Sequence, residues 1–112
     1  MAIPHAQAGQ VIDIRPLADR LRDTKTHTLL KTDHVEVLRL VLPAGKKLAE
    51  HKAPGEITVQ CLEGEILFTS PAGPHTLHAG EMLFLNAGEL HAVDAIEDSS
   101  VLVTILLHKK TI

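Results

Sequence analysis

Aromatic side chains are scarce in this 112-residue chain, which has no tryptophan, no tyrosine and only two phenylalanines, Phe68 and Phe84. Proteins that bind single-stranded nucleic acid without sequence preference stack the bases on aromatic side chains. The formal net charge of −3 also disfavours a partner with a phosphate backbone, because such a partner is held by lysine and arginine. We therefore predict that the protein has no nucleic-acid partner.

Cysteine and long apolar segments are also lacking. Cys61 is the only cysteine, so no disulfide forms within the chain and a reducing compartment is favoured. Residues 1–10 contain no apolar segment typical of a secretion signal. The most apolar stretch, residues 101–107, is much shorter than the roughly 20 residues that a membrane-spanning helix needs. These features predict a cytoplasmic protein with no membrane partner.

The chain does contain a series of short apolar segments separated by glycines. Its length and its hydrophobic content of 45% are typical of one globular domain, which we place at residues 13–112, after a flexible N-terminal segment at residues 1–12. Eight or nine short β-strands are predicted, and their close spacing is typical of a sandwich or barrel. One short helix is predicted near residues 16–23, where Leu17 and Leu21 lie four positions apart.

Two further predictions concern turns in the middle of the chain. Residues 55–62 and 65–69 are predicted to form a β-hairpin about Glu63 and Gly64. Residues 70–74, with the sequence Ser-Pro-Ala-Gly-Pro, are predicted to be a turn through which no regular element passes, because proline and glycine interrupt strands and helices. These turns would decide which strands share a sheet.

Two histidines lie in a frame of glycines that resembles the paired motifs of the cupin superfamily, small jelly-roll barrels that often hold a metal ion. The matching positions are Gly45, His51 and Gly64 in the first motif and Gly80, Gly88 and His91 in the second. The resemblance covers roughly residues 34–107. It implies an all-β fold, a cupin-type jelly-roll β-barrel, to which the predicted short N-terminal helix is added.

The chain departs from the cupin pattern at four positions. In the first motif Ala53 replaces the second histidine and Ile57 the glutamate, and in the second motif Asn86 replaces proline and Ala95 asparagine. By the resemblance, only His51 and His91 occupy metal-ligand positions. The implied cofactor is a divalent metal ion (iron, nickel, zinc or manganese), and the loss of two usual ligands would weaken its binding.

A third ligand would have to come from a neighbouring residue, Glu56 or Gln60. Glu56 adjoins the usual glutamate position, and a bulge at residues 54–55 would turn it inward. Counting by twos from residue 57 places Ile57, Val59 and Cys61 on the inner face of a strand and Gln60 on the outer face. The same bulge would reverse this order, and the sequence supports either arrangement.

One segment is apolar on both faces and predicts a homodimer. Its alternating residues are Val35, Val37 and Val41 on one face and Leu38, Leu40 and Leu42 on the other. A strand with two apolar faces needs a core on one side and another layer or subunit on the other. Arg39 in the same segment is interpreted as a paired charge at an edge or interface.

These observations support two main hypotheses about function. In the first, a small cupin-domain protein binds a divalent metal ion, a small organic ligand or both in its barrel through His51 and His91, and enzymatic activity is one form of this hypothesis. In the second, a metal-free binding or sensing module holds a small molecule without catalysis. The pocket would then be lined by Ile57, Val59 and Cys61, with the two histidines as its polar groups. A structural dimer with a filled barrel is a third possibility.

Overall fold

The computed structural model describes residues 5–107; residues 1–4 of the predicted flexible segment and residues 108–112 of the predicted domain lie outside this range. Within it the chain forms nine β-strands and one 3₁₀ helix. The helix is Ala18–Asp23, and the strands are β1 (His27–Lys31), β2 (Val35–Leu42), β3 (Lys47–His51), β4 (Ile57–Glu63), β5 (Glu65–Ser70), β6 (Gly73–His78), β7 (Met82–Leu85), β8 (His91–Ala95) and β9 (Ser99–Leu106).

The strands form two antiparallel sheets that pack face to face. One sheet has five strands in the order β1-β2-β9-β4-β7, and the other has four in the order β3-β8-β5-β6. In the first sheet β2 and β9 pair along their whole length, with Val35 opposite Leu106 and Leu42 opposite Ser99. The predicted all-β jelly roll with one short N-terminal helix is therefore confirmed.

The main core lies between the two sheets and follows the period-2 alternation of each strand. In β4 the side chains of Ile57, Val59 and Cys61 are 3%, 2% and 0% exposed. Ile66 and Phe68 of β5 face them from the other sheet and are also buried. The core contains one phenylalanine and otherwise aliphatic or small side chains.

The predicted N-terminal helix is present as a 3₁₀ helix over Ala18–Asp23. Leu17 and Leu21 pack against Val41 in a second, smaller core on the outer face of the five-stranded sheet. No helix within the described range has the length and apolar character needed to cross a membrane.

The segment that carries this helix, residues 13–23, is called the strap. The Glu63 carboxylate accepts hydrogen bonds from the N–H groups of Leu17 at 2.8 Å and Ala18 at 3.0 Å. Arg39 donates from Nη2 to the carbonyl oxygen of Arg15 at 2.9 Å. Arg39 is 3% exposed and β2 is not an edge strand, so the interpretation of Arg39 as an edge or interface charge is wrong: it is buried beneath the strap of its own chain.

The predicted hairpin about Glu63 and Gly64 is wrong, because β4 and β5 belong to different sheets. Gly64 has φ of 84°, a conformation that favours glycine. A Cβ atom at this position would collide with the backbone oxygen of Asp98 and with Ser99. The chain therefore crosses from one sheet to the other at Gly64 instead of folding back along the same sheet.

The predicted turn at residues 70–74 is also wrong in extent. Ser70 ends β5 and pairs with Gly73 at the start of β6, and Pro74 pairs with Thr69 within the ladder. The turn is thus confined to residues 71–72. Proline is tolerated inside β6 because this strand is the edge of its sheet, where a missing N–H on the solvent side breaks no ladder hydrogen bond.

Candidate functional site

His51 and His91 meet where β3 ends and β8 begins. The two strands are antiparallel neighbours, and His51 lies opposite His91 in their ladder. The centroids of the two imidazole rings are 4.2 Å apart, and the ring planes cross at 62°. The strand pairing therefore brings together the two histidines that the glycine-framed motifs single out.

A β-bulge in β3 decides which way His51 points. The ladder pairs Leu48 with Val93 and His51 with His91, so two residues of β3 lie opposite one residue of β8. In a regular strand, residues three positions apart point to opposite faces. The bulge allows Leu48 and His51 to line the same cavity.

Each histidine is held through Nδ1 by a backbone carbonyl two residues earlier. Nδ1 of His51 lies 2.9 Å from the oxygen of Ala49, and Nδ1 of His91 lies 3.0 Å from the oxygen of Glu89. Because a carbonyl oxygen only accepts, Nδ1 carries the hydrogen in both rings. Nε2 of each ring is left without a hydrogen-bond partner among residues 5–107 and is available to a ligand.

The two histidines differ in burial. His91 is 5% exposed and His51 is exposed. Burial is the main cause that lowers the pKa of His91 below its ordinary value of 6.5; the hydrogen bond with Glu89 acts in the opposite direction, and the neighbouring His51 adds to the lowering. His91 is therefore a neutral imidazole near pH 7, and its Nε2 presents a lone pair.

Both rings line a cavity of about 220 Å³ inside the barrel. Six of its aliphatic wall residues come from the five-stranded sheet: Leu38 and Leu40 of β2, Ile57 and Val59 of β4, and Val103 and Ile105 of β9. An apolar cavity of about 150 Å³ accommodates benzene. The space in this barrel therefore admits a molecule somewhat larger than one six-membered ring.

The three residues predicted from alternation to face the interior all do so, but they differ in their relation to the cavity. Ile57 and Val59 are part of its wall. Cys61 is fully buried in the core and is not part of that wall. Its Sγ atom lies 3.4 Å from the backbone oxygen of Glu63, and burial raises the pKa of the thiol. Cys61 is therefore a packing residue with an unreactive thiol.

Glu56 and Gln60, the two candidates for a third metal ligand, do not line the cavity. Gln60 pairs with Met82 and Leu102 in the middle of the five-stranded sheet, and it alternates with Val59, so it lies on the outer face. Glu56 is exposed and lines a shallow surface depression beside Phe84. The bulge proposed at residues 54–55 does not reverse the order of β4, because Ile57 to Cys61 pair with β9 in regular register, and the structure does not bring Glu56 or Gln60 to the histidines.

The donor set of the cavity does not fit a tightly held divalent metal ion. Within the described part of the chain, no group of three or more histidine, cysteine, aspartate or glutamate side chains is gathered around a common point. The titratable residues in the wall are His51, Lys52 and His91. A catalytic zinc ion is usually held by about three protein ligands, and the lysine ammonium would repel a cation.

Reasoning from the sequence did not assign several residues to this site, among them Leu48, Lys52 and Phe68. The Phe68 ring stacks on the His91 imidazole with centroids 5.5 Å apart and planes 12° apart. Alternation from Ile66 would have placed Phe68 inward. Lys52 follows His51 directly, whereas the inward position of Leu48 depends on the bulge, and no pattern in the sequence signals that bulge.

Comparison with known proteins gives a family match over most of the β region. The sequence profile described as the cupin domain matches residues 38–107. The match begins in β2 and ends just after β9, so it includes both histidines and the six wall residues of the five-stranded sheet. A search of curated protein sequences found no significant match.

Solved structures of similar fold cover nearly the whole chain. A conserved protein of unknown function from Streptococcus pyogenes has a TM-score of 0.75 at 20% sequence identity, covering 98% of this chain and 97% of that one. A cupin superfamily protein from Desulfitobacterium hafniense DCB-2 has a TM-score of 0.75 at 19% identity, covering 92% and 100%. An RmlC-like cupin family protein with a double-stranded β-helix fold from Methanocaldococcus jannaschii has a TM-score of 0.71 at 20% identity, covering 92% and 94%. At these identities the likeness is one of fold.

Proposed function

This chain belongs to the cupin family, and from that premise we propose that it is a binding protein that holds a small organic molecule in its barrel without a tightly bound metal ion. One observation carries the proposal. The rings of His51 and His91 meet, with centroids 4.2 Å apart, in the wall of a cavity that is otherwise almost entirely apolar. An apolar pocket with a few convergent polar groups is the usual form of a small-molecule site.

The chemistry of the wall supports this function. The aliphatic side chains exclude water and favour the hydrocarbon part of a ligand, since burial of apolar area contributes about 25 cal/mol per Å². The free Nε2 atoms of the two histidines supply the polar contacts. A ligand in the cavity would shield His91 Nε2 from water. If it formed no hydrogen bond with this atom, the free energy of that hydrogen bond would be lost. A molecule with one polar end is therefore favoured.

The proposal is tested by ligand-observed NMR with a collection of compounds of up to about ten non-hydrogen atoms, a limit set by the cavity size. We expect binding to the wild-type protein and at least a tenfold loss in a His51→Ala variant. His51 is the better residue to change because it is exposed and its loss leaves the core intact. His75→Ala is the matched control, since His75 is exposed on the edge strand β6 and lies outside the cavity wall.

Failure of every compound to bind, or equal binding by wild type and His51→Ala, would overturn the proposal. Far-UV circular dichroism of both variants verifies that they remain folded. Binding data for a His91→Ala variant are interpreted only together with its unfolding curve, because His91 is buried and stacked on Phe68.

A metal-binding function is the competing candidate, and one observation favours it. Histidines that ligate metals usually donate their other ring N–H to a carbonyl or carboxylate, as Nδ1 of His51 and His91 do. Elemental analysis of untagged protein separates the two functions. Stoichiometric iron, nickel, zinc or manganese that is lost in the His51→Ala, His91→Ala double variant would replace our proposal with the metal-binding one.

We also propose that the protein forms a homodimer through the outer face of its five-stranded sheet. One row of side chains crosses four strands there, from Val37 through Thr104 and Thr58 to Phe84, and contains no charge. Phe84 is 55% exposed. A second copy of this chain is the partner that such a row fits, because two uncharged rows meet without the repulsion that the net charge of −3 creates elsewhere.

A further inference from the structure

The titratable side chains in the cavity wall are all basic. Among residues 5–107 they are His51, Lys52 and His91, and no aspartate or glutamate of this range belongs to the wall. The chain as a whole carries 14 acidic residues against 11 lysines and arginines, so a wall with only basic groups differs from the average of the molecule. The site thus selects against cations and favours a ligand with a negative charge.

The basic residues and the apolar wall are separated in space. Lys52 is exposed. It lines both the cavity and an open surface depression beside Ala87 and Gly88. It therefore lies where the cavity opens to solvent, which we call the mouth. His51 is exposed beside it. The walls from β2, β4 and β9 are aliphatic. A ligand that matches this division has its charge at the mouth and its hydrocarbon part inside.

His91 adds an unpartnered polar atom to the buried side of the mouth. The residue is 5% exposed, its Nδ1 is engaged by the Glu89 carbonyl, and its Nε2 makes no hydrogen bond within residues 5–107. A carboxylate has only acceptor oxygens, so it accepts directly from the Lys52 ammonium, and it pairs with Nε2 of a neutral imidazole only with one proton that is taken up from solvent together with the ligand. A neutral alcohol can donate its hydroxyl hydrogen to Nε2, but it brings no negative charge to the lysine ammonium.

From these observations we infer that the ligand class of this site is an amphiphilic monocarboxylate whose hydrocarbon part fills the barrel and whose carboxylate lies among His51, Lys52 and His91. The inference rests on the proposed binding function and specifies its ligand. By proportion to the cavity that holds the six carbons of benzene, the available 220 Å³ takes about nine non-hydrogen atoms. Saturated or monocyclic acids of about six to eight carbons have this size.

The test compares three probes of equal chain length that differ only in the polar end: hexanoate, hexan-1-ol and hexylammonium. Dissociation constants are measured by NMR titration at one pH and ionic strength. We expect hexanoate to bind at least tenfold more tightly than hexan-1-ol, and hexylammonium not to bind. A Lys52→Met variant keeps the aliphatic length of the side chain and removes its charge. It should weaken hexanoate three- to tenfold and leave hexan-1-ol unchanged.

Lys47→Met is the matched control for the loss of a lysine. Lys47 is exposed in β3, lies opposite Asp94 in the ladder and is not part of the cavity wall, so the preference for hexanoate should persist. Equal affinity for hexanoate and hexan-1-ol, or no effect of Lys52→Met, would overturn the ligand class and leave the binding function intact. If none of the three probes binds but the wider compound collection yields a ligand, only the class is overturned; if neither yields one, the binding function fails as well.

Discussion

Phe68 lies parallel to the imidazole of His91, with the two ring centroids 5.5 Å apart and 12° between their planes. Phe68 belongs to β5 and His91 to β8, adjacent strands of the four-stranded sheet. Phe68 is 1% exposed, so packing on all sides fixes its ring. The orientation of the buried histidine therefore depends on the only aromatic side chain in the core.

Replacing Phe68 should destabilise the protein strongly. We expect Phe68→Ala to lower the free energy of unfolding by about 3–5 kcal/mol, the usual cost of removing a buried phenylalanine. Urea unfolding followed by far-UV circular dichroism measures the change. Ile96→Ala is the control: Ile96 is 48% exposed, and its loss should change the unfolding free energy by no more than about 0.5 kcal/mol. Similar losses in the two variants would contradict the central place of Phe68 in the core.

The stability of the protein should fall as the pH drops below about 6.5. Burial lowers the pKa of His91 from its ordinary value of 6.5, so the unfolded chain takes up a proton that the folded chain resists. The contribution of His91 is complete above pH 6.5 and is lost between 6.5 and its lowered folded pKa, with a slope of at most about 1.4 kcal/mol per pH unit.

Unfolding free energies measured between pH 8 and pH 5 should show a shallower slope in a His91→Gln variant than in wild type. His75→Gln serves as the control for the number of histidines, since His75 is exposed and lies outside the cavity wall. An unchanged slope in His91→Gln would assign the pH dependence to other groups.

The attachment of the strap should depend on the charge of Glu63. Burial alone would raise the pKa of this carboxyl, but hydrogen bonds from Ser100, Leu17 and Ala18 and the nearby Arg39 lower it below its ordinary value of 4.5. The stabilisation is therefore present above about pH 4.5 and is lost as the pH falls through the lowered folded pKa.

A Glu63→Gln change should cost about 1–3 kcal/mol of stability, because it weakens charge-assisted hydrogen bonds to two strap N–H groups. Limited trypsin digestion at neutral pH should then cut faster at Arg20 and Arg22 in the strap. Glu97→Gln, which alters an exposed glutamate, should digest at the wild-type rate. Equal cleavage in all three proteins would show that Glu63 does not hold the strap in place.

The proposed dimer has a direct test in the mass of the particle in solution. We expect light scattering to give twice the chain mass of 12.1 kDa, and a Phe84→Asp variant to give the mass of one chain, since two facing carboxylates would repel each other across the uncharged row. Thr76→Asp adds the same charge at an exposed position of β6, in the other sheet, and should remain a dimer. A wild-type mass of 12.1 kDa would refute the proposal.

Several features of this fold follow from local patterns in the sequence. The alternation in residues 57–61 is enough to place Ile57, Val59 and Cys61 on the inner face of a strand, since successive side chains of a strand point to opposite faces. The four-residue spacing of Leu17 and Leu21 indicates the short helix. The glycine frame singles out His51 and His91. Each of these signals lies within about fifteen residues of the feature that it predicts.

The two wrong turn predictions have a common physical cause. A turn motif indicates that the chain changes direction, but it does not specify whether the next strand pairs with the previous one or joins the opposite sheet. At Gly64 the close approach of Asp98 and Ser99, more than thirty positions later in the sequence, decides this. Whether Pro74 can lie inside a strand depends on β6 being an edge strand. Both facts require the complete sheet order.

The sequence by itself determined the all-β class and the burial of the central β4 residues, because both follow from side-chain period and the spacing of short strands, and its resemblance to the cupin motifs pointed to the two histidines. The tertiary structure alone decided that Leu48 and His51 face one cavity through a bulge, that Phe68 supports His91, and that Glu56 and Gln60 lie apart from both histidines. Those relationships join strands that are distant along the chain, and their free energy arises only when the two sheets pack together.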